Sequence, residues 1–336
     1  MDAAEFHRLS TQASPPEPAH LSVRQWEALS AEHRSAHLAA LETWLGHLWI
    51  DIGDLQQVCD VMTAIVRKNA TSRPGAKRIL GLSGPFAIGK TTLIQRWAGE
   101  SYNAWTADCA HDRRGRPVYY TTDCEHDLNP VVWAGLASKA KATDVNAEIL
   151  HYHGLPGKDS HKAFDAMKRH RTRVLILDDV HFLATTAAWG REVLDHLKRL
   201  NSELGYLNAT LLLVGANLED GSLAHDPQIR ARLKLQHYPT YPKPDERQEQ
   251  QRWQRVVREL EEKVLPHLPN GKRGMLFMRL AGELHYRTQG FLGDLTELVA
   301  EATLAAAADG SYAISLRHLD GVVLAERAEQ DKVYSS

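Results

Sequence analysis

The sequence predicts an α/β fold: a parallel αβα sandwich with an N-terminal helical segment and a C-terminal helical lid. Three observations predict it. From Arg78 to Gly215 short apolar runs alternate with helical patterns, which implies a parallel sheet covered on both faces. One strand–turn–helix passage, residues 84–92, holds two glycines and a lysine at a fixed spacing. Beyond Pro242-Lys243-Pro244 strand signals stop and only helical periodicity continues.

The composition fits such a fold. The 336 residues carry 40 Lys+Arg against 42 Asp+Glu, with 43% hydrophobic and 24% charged residues. That balance supports a packed core and excludes wholesale disorder. A formal net charge of −2 also excludes nucleic-acid binding through bulk basicity, so any such surface is a local patch. Cys59, Cys109 and Cys124 cannot build a disulfide framework, and a reducing cytoplasm is expected. Met1-Asp2-Ala3-Ala4-Glu5 lacks the basic-then-apolar pattern of a secretory signal, and no apolar stretch approaches the ~18–20 residues of a membrane span.

Taken in order, residues 1–20 include Ser14-Pro15-Pro16-Glu17-Pro18 and read as a flexible tail. Residues 21–73 read as an N-terminal helical segment. Ser22 caps a helix with Trp26 and Leu29, Ala39, Leu41, Trp44, Leu45 and Leu48 recur at helical spacing, and Val58, Met62 and Val66 share a later face. Thr71-Ser72-Arg73-Pro74-Gly75 breaks the pattern. Residues 74–241 form the α/β core, with strands expected at 78–83, 117–121, 173–177 and 210–215 and helices beginning near Lys90, Pro130, Thr186 and Gln228. Residues 242–326 form the lid, with helices over about 245–265, 273–288 and 292–308 and a short element near 314–324, and 327–336 form a tail.

The glycine-rich passage is Gly84-Pro85-Phe86-Ala87-Ile88-Gly89-Lys90-Thr91-Thr92, a complete G-x-x-x-x-G-K-[ST] pattern. Ile79, Leu80 and Leu82 lead into it as a strand, and Leu93, Ile94 and Trp97 leave it as a helix. Its glycines let the backbone wrap phosphate oxygens while N–H groups at the helix start point at the anion. Lys90 then sits between the β- and γ-phosphates, and the Thr91 hydroxyl holds Mg²⁺. ATP and Mg²⁺ are the implied cofactors.

Such a loop needs a second anchor for the metal. Val174-Leu175-Ile176-Leu177-Asp178-Asp179 is an apolar strand ending in two carboxylates. Asp178 is placed to hold Mg²⁺ through water, and Asp179 to activate the attacking water, with a side chain one methylene shorter than glutamate. The plain alternative is a buried strand meeting a loop aspartate. Thr210–Gly215 is another buried strand, and Asn217 after it either reaches the γ-phosphate and lytic water or is a turn asparagine. Arg230 and Arg232 follow on a short helix. Either one can neutralise transition-state charge across a subunit interface, or both simply solvate a helix end.

These features, in this order and followed by a helical domain, resemble an AAA+ ATPase. Within that superfamily the chain is similar to the transposition helper ATPases of the TniB and TnsC type, relatives of IstB and MuB. Asp178-Asp179-Val180-His181-Phe182-Leu183 matches their D-[DE]-hydrophobic-H-x-L run, residues 192–207 resemble their helix before the sensor strand, and Val214-Gly215-Ala216-Asn217 takes the place of their V-G-x-x segment. The resemblance covers about residues 20–325, specific only in the nucleotide motifs. It implies an ATP-dependent homo-oligomer on double-stranded DNA that presents a target site to a transposase or other recombination protein and is disassembled by hydrolysis. Lys90, Thr91, Asp178, Asp179 and Asn217 match the family's nucleotide motifs, and Arg230 or Arg232 its arginine finger. Gly290-Phe291-Leu292-Gly293-Asp294 departs from the wider AAA+ pattern, placing aspartate near where many lids carry a sensor arginine.

Other classes share parts of this pattern: a STAND-type signalling switch, a helicase-loading or replication ATPase, and a non-catalytic ATP-binding scaffold. A signalling switch normally carries further sensor or effector domains, and no clear helix-turn-helix follows the lid. Weaker signals remain. Cys109-Ala110-His111 and Cys124-Glu125-His126 offer four zinc ligands at a spacing tighter than the usual knuckle. Arg113-Arg114-Gly115-Arg116, Lys168-Arg169-His170-Arg171 and the pair Lys139 and Lys141 are the local basic patches that DNA contact requires. His181, beside Asp178-Asp179, is placed to orient the metal shell.

Overall fold

The computed structural model of the chain describes residues 1–183, 190–243 and 246–328. Its helices are α1 (Ala3–Thr11), α2 (Val23–Ala28), α3 (Ala31–Leu45), α4 (Gly53–Thr71), α5 (Lys90–Thr106), α6 (Ala142–Tyr152), α7 (Ser160–Arg169), α8 (Gly190–Tyr206), α9 (Ser222–His225), α10 (Pro227–Arg230), α11 (Arg247–Val264), α12 (Ala281–Thr288), α13 (Leu292–Ala308) and α14 (Leu316–Asp320). The strands are β1 (Ile79–Ser83), β2 (Ala110–His111), β3 (Pro117–Tyr120), β4 (Glu125–Asp127), β5 (Val131–Gly135), β6 (Val174–Asp178), β7 (Thr210–Gly215) and β8 (Leu233–His237). The chain divides into two compact units, one of residues 1–12 and 54–238, the other of residues 13–53 and 239–336.

The first unit is built on a five-stranded, all-parallel sheet in the order β5-β6-β7-β1-β8. Its inner strands β6, β7 and β1 are buried along their whole length, which is why they read as unbroken apolar runs. Leu80, Leu82, Leu175, Ile176, Leu211 and Leu212 have no exposed surface. Removing each such side chain from water stabilises the fold by roughly 1.5–3 kcal/mol.

Several elements differ from the sequence expectation. Pro130 opens a strand rather than a helix. Its carbonyl accepts the N–H groups of Arg173 and Val174 at 2.8 and 3.0 Å, and Val131, Val132 and Trp133 continue as buried β5. The helix follows only at Ala142. The strand expected at 117–121 is present as β3, but it belongs to a separate antiparallel sheet, β2-β3-β4. The helix expected from Gln228 is the single turn α10, and the chain then enters β8, an edge strand whose Leu-Lys-Leu-Gln-His alternation leaves it half exposed. Thr186 and Asp245, expected near helix starts, lie outside the described residues, as do residues 329–336 of the expected tail.

Residues 3–11, expected within a flexible tail, form α1 instead. The Asp2 carboxylate caps it by accepting the Glu5 N–H at 2.8 Å. Phe6, 3% exposed, packs edge-on to Tyr102 with ring centroids 5.5 Å apart. One buried aromatic anchor holds a helix whose periodicity is too weak to announce it.

In the second unit, α2, α3, α11, α12, α13 and α14 form a helical body. Glu261, 1% exposed, accepts the backbone N–H groups of Gly274, Leu276 and Phe277, which fixes a π-helical turn over Met275–Leu280. Gly290 follows α12 at φ +75°, with the Tyr241 carbonyl so close that any Cβ would collide with it. Asp294, in the first turn of α13, is ion-paired with Arg327, whose guanidinium lies 3.6 Å from the Phe291 ring centroid. Asp294 thus closes a structural ion pair within this body.

Candidate nucleotide-binding site

The site forms where β1 ends. The turn after Ser83 reaches α5 through two residues with positive φ, Ala87 (+56°) and Gly89 (+101°). Gly89 is the N-cap of α5 and supplies no side-chain hydrogen bond, so the first-turn N–H groups receive no cap from it. Unoccupied N–H groups at a helix start, with the helix dipole behind them, are a ready anion site. A Cβ at Gly89 would meet Tyr238 Oη at 3.0 Å, and one at Gly84 would meet Tyr238 Cβ at 3.0 Å. Tyr238, buried just beyond β8, therefore forms one wall of the turn, a residue the sequence motifs did not single out.

Lys90 is 8% exposed, and its ammonium donates to the carbonyls of Gly84 and Pro85 at 3.0 and 2.6 Å. Burial lowers its pKa, and the charges of Asp178 and Asp179 oppose that shift. The Thr91 hydroxyl donates to Asp178 Oδ2 at 3.1 Å, and the backbone N–H of Asp179 donates to Oδ1 at 2.9 Å. Asp178 is 5% exposed, and burial, followed by the charge of Asp179, raises its pKa. A buried carboxylate, a hydroxyl and a lysine ammonium around uncapped helix N–H groups fit a nucleotide's phosphates together with a hard divalent cation. Thr91 and Asp178 are the residues placed to hold that cation.

Asp179 sits in the left-handed region at φ 58°, and its carboxylate is about half exposed. His181 Nδ1 lies 3.9 Å from it and accepts the Ala216 N–H at 3.4 Å. The imidazole also meets the exposed ring of Phe86 edge-on, with centroids 5.0 Å apart. His181 therefore ties the loop after β6 to the end of β7. Burial lowers its pKa, consistent with a neutral ring whose Nδ1 accepts.

β7 lies between β1 and β6, so the loop after it emerges between the glycine-rich turn and Asp178. Asn217 is in that loop, exposed and at φ 46°. The loop is held by Ser83, whose hydroxyl accepts the Leu218 N–H at 2.9 Å and donates to the Glu219 carboxylate. Sequence motifs did not identify the Ser83–Glu219 pair; one member precedes the motif and the other follows a strand 136 residues later.

Arg230 and Arg232 are not part of this constellation. Arg232 precedes β8, whose Leu233 aligns with Ile79, while His237 aligns with Ser83. Both arginines thus sit at the amino edge of the sheet, a strand length from the turn at its carboxyl edge. Five strand residues span about 13–17 Å.

Two of the basic clusters meet. Tyr119 on β3 donates its hydroxyl to the Arg169 carbonyl, and the Arg171 guanidinium lies 3.6 Å from its ring centroid. Arg116, at the end of the other cluster, is tied to Asp112 at 2.8 Å and lies 3.7 Å from the carboxylate of Asp127, whose backbone carbonyl is hydrogen-bonded to His170 Nδ1 at 2.9 Å. Lys139 and Lys141 flank Ala140, whose N–H donates to the Phe182 carbonyl at 3.2 Å. Among the described residues, the two Cys-x-His pairs form no group of three ligands. His126 stacks on Tyr119 instead, and Cys109 Sγ contacts the Trp105 carbonyl.

A phosphate-cradling turn between β1 and α5, joined by Thr91 to a buried carboxylate on β6, defines a nucleotide-binding P-loop protein of the AAA+ ATPase class. The profile of the family described as "Bacterial TniB protein" matches residues 46–243, more than half of the chain. The chain belongs to the TniB family. No curated protein matches it.

Among solved structures, Cdc6p from Pyrobaculum aerophilum is similar at 14% identity and a TM-score of 0.50, over 78% of this chain and 64% of that one. Drosophila ORC bound to DNA is similar at 8% identity and a TM-score of 0.50, over 94% and 71%. The Aeropyrum pernix ORC2 protein in its ADPNP-ADP complexes gives 14% identity and a TM-score of 0.49, over 98% and 72%. The chain thus spans just under two thirds of the Pyrobaculum protein's length. Identities this low speak to the fold alone. Among the described residues no helix is long and apolar enough to cross a membrane.

Proposed function

We propose that this chain is an ATP-hydrolysing switch that assembles on double-stranded DNA as a homo-oligomer and presents target DNA to a transposase. The observation that carries the reading is the contact between Thr91 and Asp178, 3.1 Å apart, beside the Lys90 ammonium. ATP supplies the anion for Lys90 and the loop N–H groups, and Mg²⁺ supplies charge neutralisation at the phosphates. Asp179 orients the lytic water, and Asn217, emerging between the P-loop strand and the acidic strand, senses the γ-phosphate. Arg230 or Arg232, remote from its own chain's turn, serves the next protomer's nucleotide.

The transposition role rests on membership of the TniB family and on the motif resemblance to helper ATPases of that type. A route from nucleotide to DNA is available through Ala140, which is hydrogen-bonded to the turn following Asp179 and flanked by Lys139 and Lys141. Ordering that turn around nucleotide would order the basic loop with it.

Mass photometry of the chain on linear double-stranded DNA tests this reading, with a slowly hydrolysed ATP analogue, with ADP, and with neither. Multi-subunit assemblies are expected with the ATP analogue alone, and Lys90→Ala is expected to abolish them. Assembly that ignores the nucleotide would overturn the switch, and ATP-dependent assembly that ignores DNA would overturn its DNA-directed role.

A further inference from the structure

We infer that the second unit carries a transition-metal site made of Glu17, His20 and His267, separate in chemistry and sequence from the nucleotide motifs. Glu17 Oε1 lies 2.9 Å from His20 Nε2 and 3.2 Å from His267 Nε2, and the three atoms all fall within 4.8 Å of one another. A tetrahedral ion with bonds of about 2.0–2.1 Å has ligand-to-ligand edges of about 3.3 Å. The Glu17–His267 edge of 3.2 Å already matches that value, and the exposed His20 ring is free to adjust the other two.

The surroundings fit a bound ion. The His267 side chain is 1% exposed, with the Trp44 ring centroid 4.7 Å from its own, while Glu17 and His20 are about half exposed. One ligand is thus fixed in the body, in the 3-10 turn Leu265–His267 just after α11, and two come from a segment, Glu17-Pro18-Ala19-His20, that forms no helix or strand of its own. The open side leaves room for water as a further ligand, the arrangement of a site with three protein ligands. Both imidazoles aim Nε2 at the same carboxylate oxygen, and with a dication bound each neutral ring carries its proton on Nδ1 so that the Nε2 lone pair faces the ion. Two imidazoles and one carboxylate suit Zn²⁺, Co²⁺ or Ni²⁺; the all-oxygen preference of Mg²⁺ and Ca²⁺ excludes them here. The ion closes the loop between residues 20 and 267, fastening residues 13–22 to the helical body.

The test uses the full-length chain, stripped with chelator and free of nucleotide, titrated with ZnCl₂ by calorimetry and with CoCl₂ by absorption. One equivalent is expected, with Co²⁺ bands in the visible and no thiolate charge-transfer band. Glu17→Gln and His20→Ala change exposed side chains and leave the core intact. Each is expected to weaken zinc binding by more than the roughly 10–100-fold that loss of an outer-shell partner costs. Zinc is also expected to raise the melting temperature of the native chain but not of His20→Ala. A native chain that takes up no zinc, or variants that bind it as tightly as the native chain, would overturn the site. Loss of the bound ion in Cys109→Ser/Cys124→Ser would overturn it as well, since the metal would then belong to the cysteine pairs.

Discussion

The Thr91 hydroxyl lies 3.1 Å from Asp178 Oδ2, joining the first turn of α5 to the carboxyl end of β6 across the intervening β7. If both groups act on one Mg²⁺, their removal should not be additive. Thr91→Ala and Asp178→Asn are each expected to lower Mg²⁺-dependent hydrolysis by about 10²–10³-fold. The double variant should lose much less than the product of the two. Phosphate release across a Mg²⁺ titration measures the coupling.

Gly89 holds φ +101° with Tyr238 Oη 3.0 Å from where a Cβ would stand. Gly89→Ala should destabilise the first unit by about 1–3 kcal/mol and eliminate ATP binding. Adding Tyr238→Phe removes the hydroxyl but not the backbone strain, so it should recover only part of the stability. Urea midpoints of the three chains, with ATP titrations, separate the two contributions.

Arg230 and Arg232 sit at the sheet edge opposite the P-loop, so the proposed switch has the acting arginine reach the nucleotide of another protomer. Alanine at the acting arginine should cost about 10³-fold or more in turnover while ATP affinity stays unchanged. Mixing that variant with Lys90→Ala subunits should restore part of the activity, because each lacks what the other supplies. Two variants that stay inactive on mixing would place the arginine's role within its own chain.

The Ser83 hydroxyl links Leu218 and Glu219 to β1 from a fully buried position. Ser83→Ala leaves the Leu218 N–H without its acceptor and should cost about 1–3 kcal/mol. Glu219→Gln retains an acceptor for the hydroxyl and should cost less. Chemical denaturation of both variants checks the order.

His153 and His170 stack at 4.4 Å with planes 13° apart. Burial, then the charge of His170, pushes the His153 pKa down to about 3, and burial lowers that of His170. A depressed folded-state pKa means the unfolded chain binds the proton first. The stability from His153 is therefore complete above about pH 6.5 and falls from there towards pH 3, by about 1.4 kcal/mol per pH unit. His153→Gln should flatten this slope in urea midpoints taken between pH 7.5 and 5.5.

Central strands and the P-loop were legible for a common reason. β1, β6 and β7 are covered on both faces, so each is a continuous apolar run, and Ser83 and Asp178 at the ends of β1 and β6, with Asn217 just after β7, stand at the sheet's carboxyl edge. β8 was not legible because an edge strand alternates, and its Leu233 and Leu235 also suit a helix. β5 was hidden by Pro130, which serves equally as the first residue of a helix. α1 depends on the tertiary contacts of Phe6. Ser83–Glu219, Tyr238 against Gly89, and Glu17 with His267 are meetings of residues far apart in sequence, and no local pattern encodes them.

Steady-state ATP hydrolysis by the native chain and by Lys90→Ala, each with and without double-stranded DNA, tests the DNA-directed switch most directly. Hydrolysis that DNA stimulates in the native chain, and that disappears in Lys90→Ala under both conditions, is expected. Lys90-dependent hydrolysis at the same rate with and without DNA would contradict it.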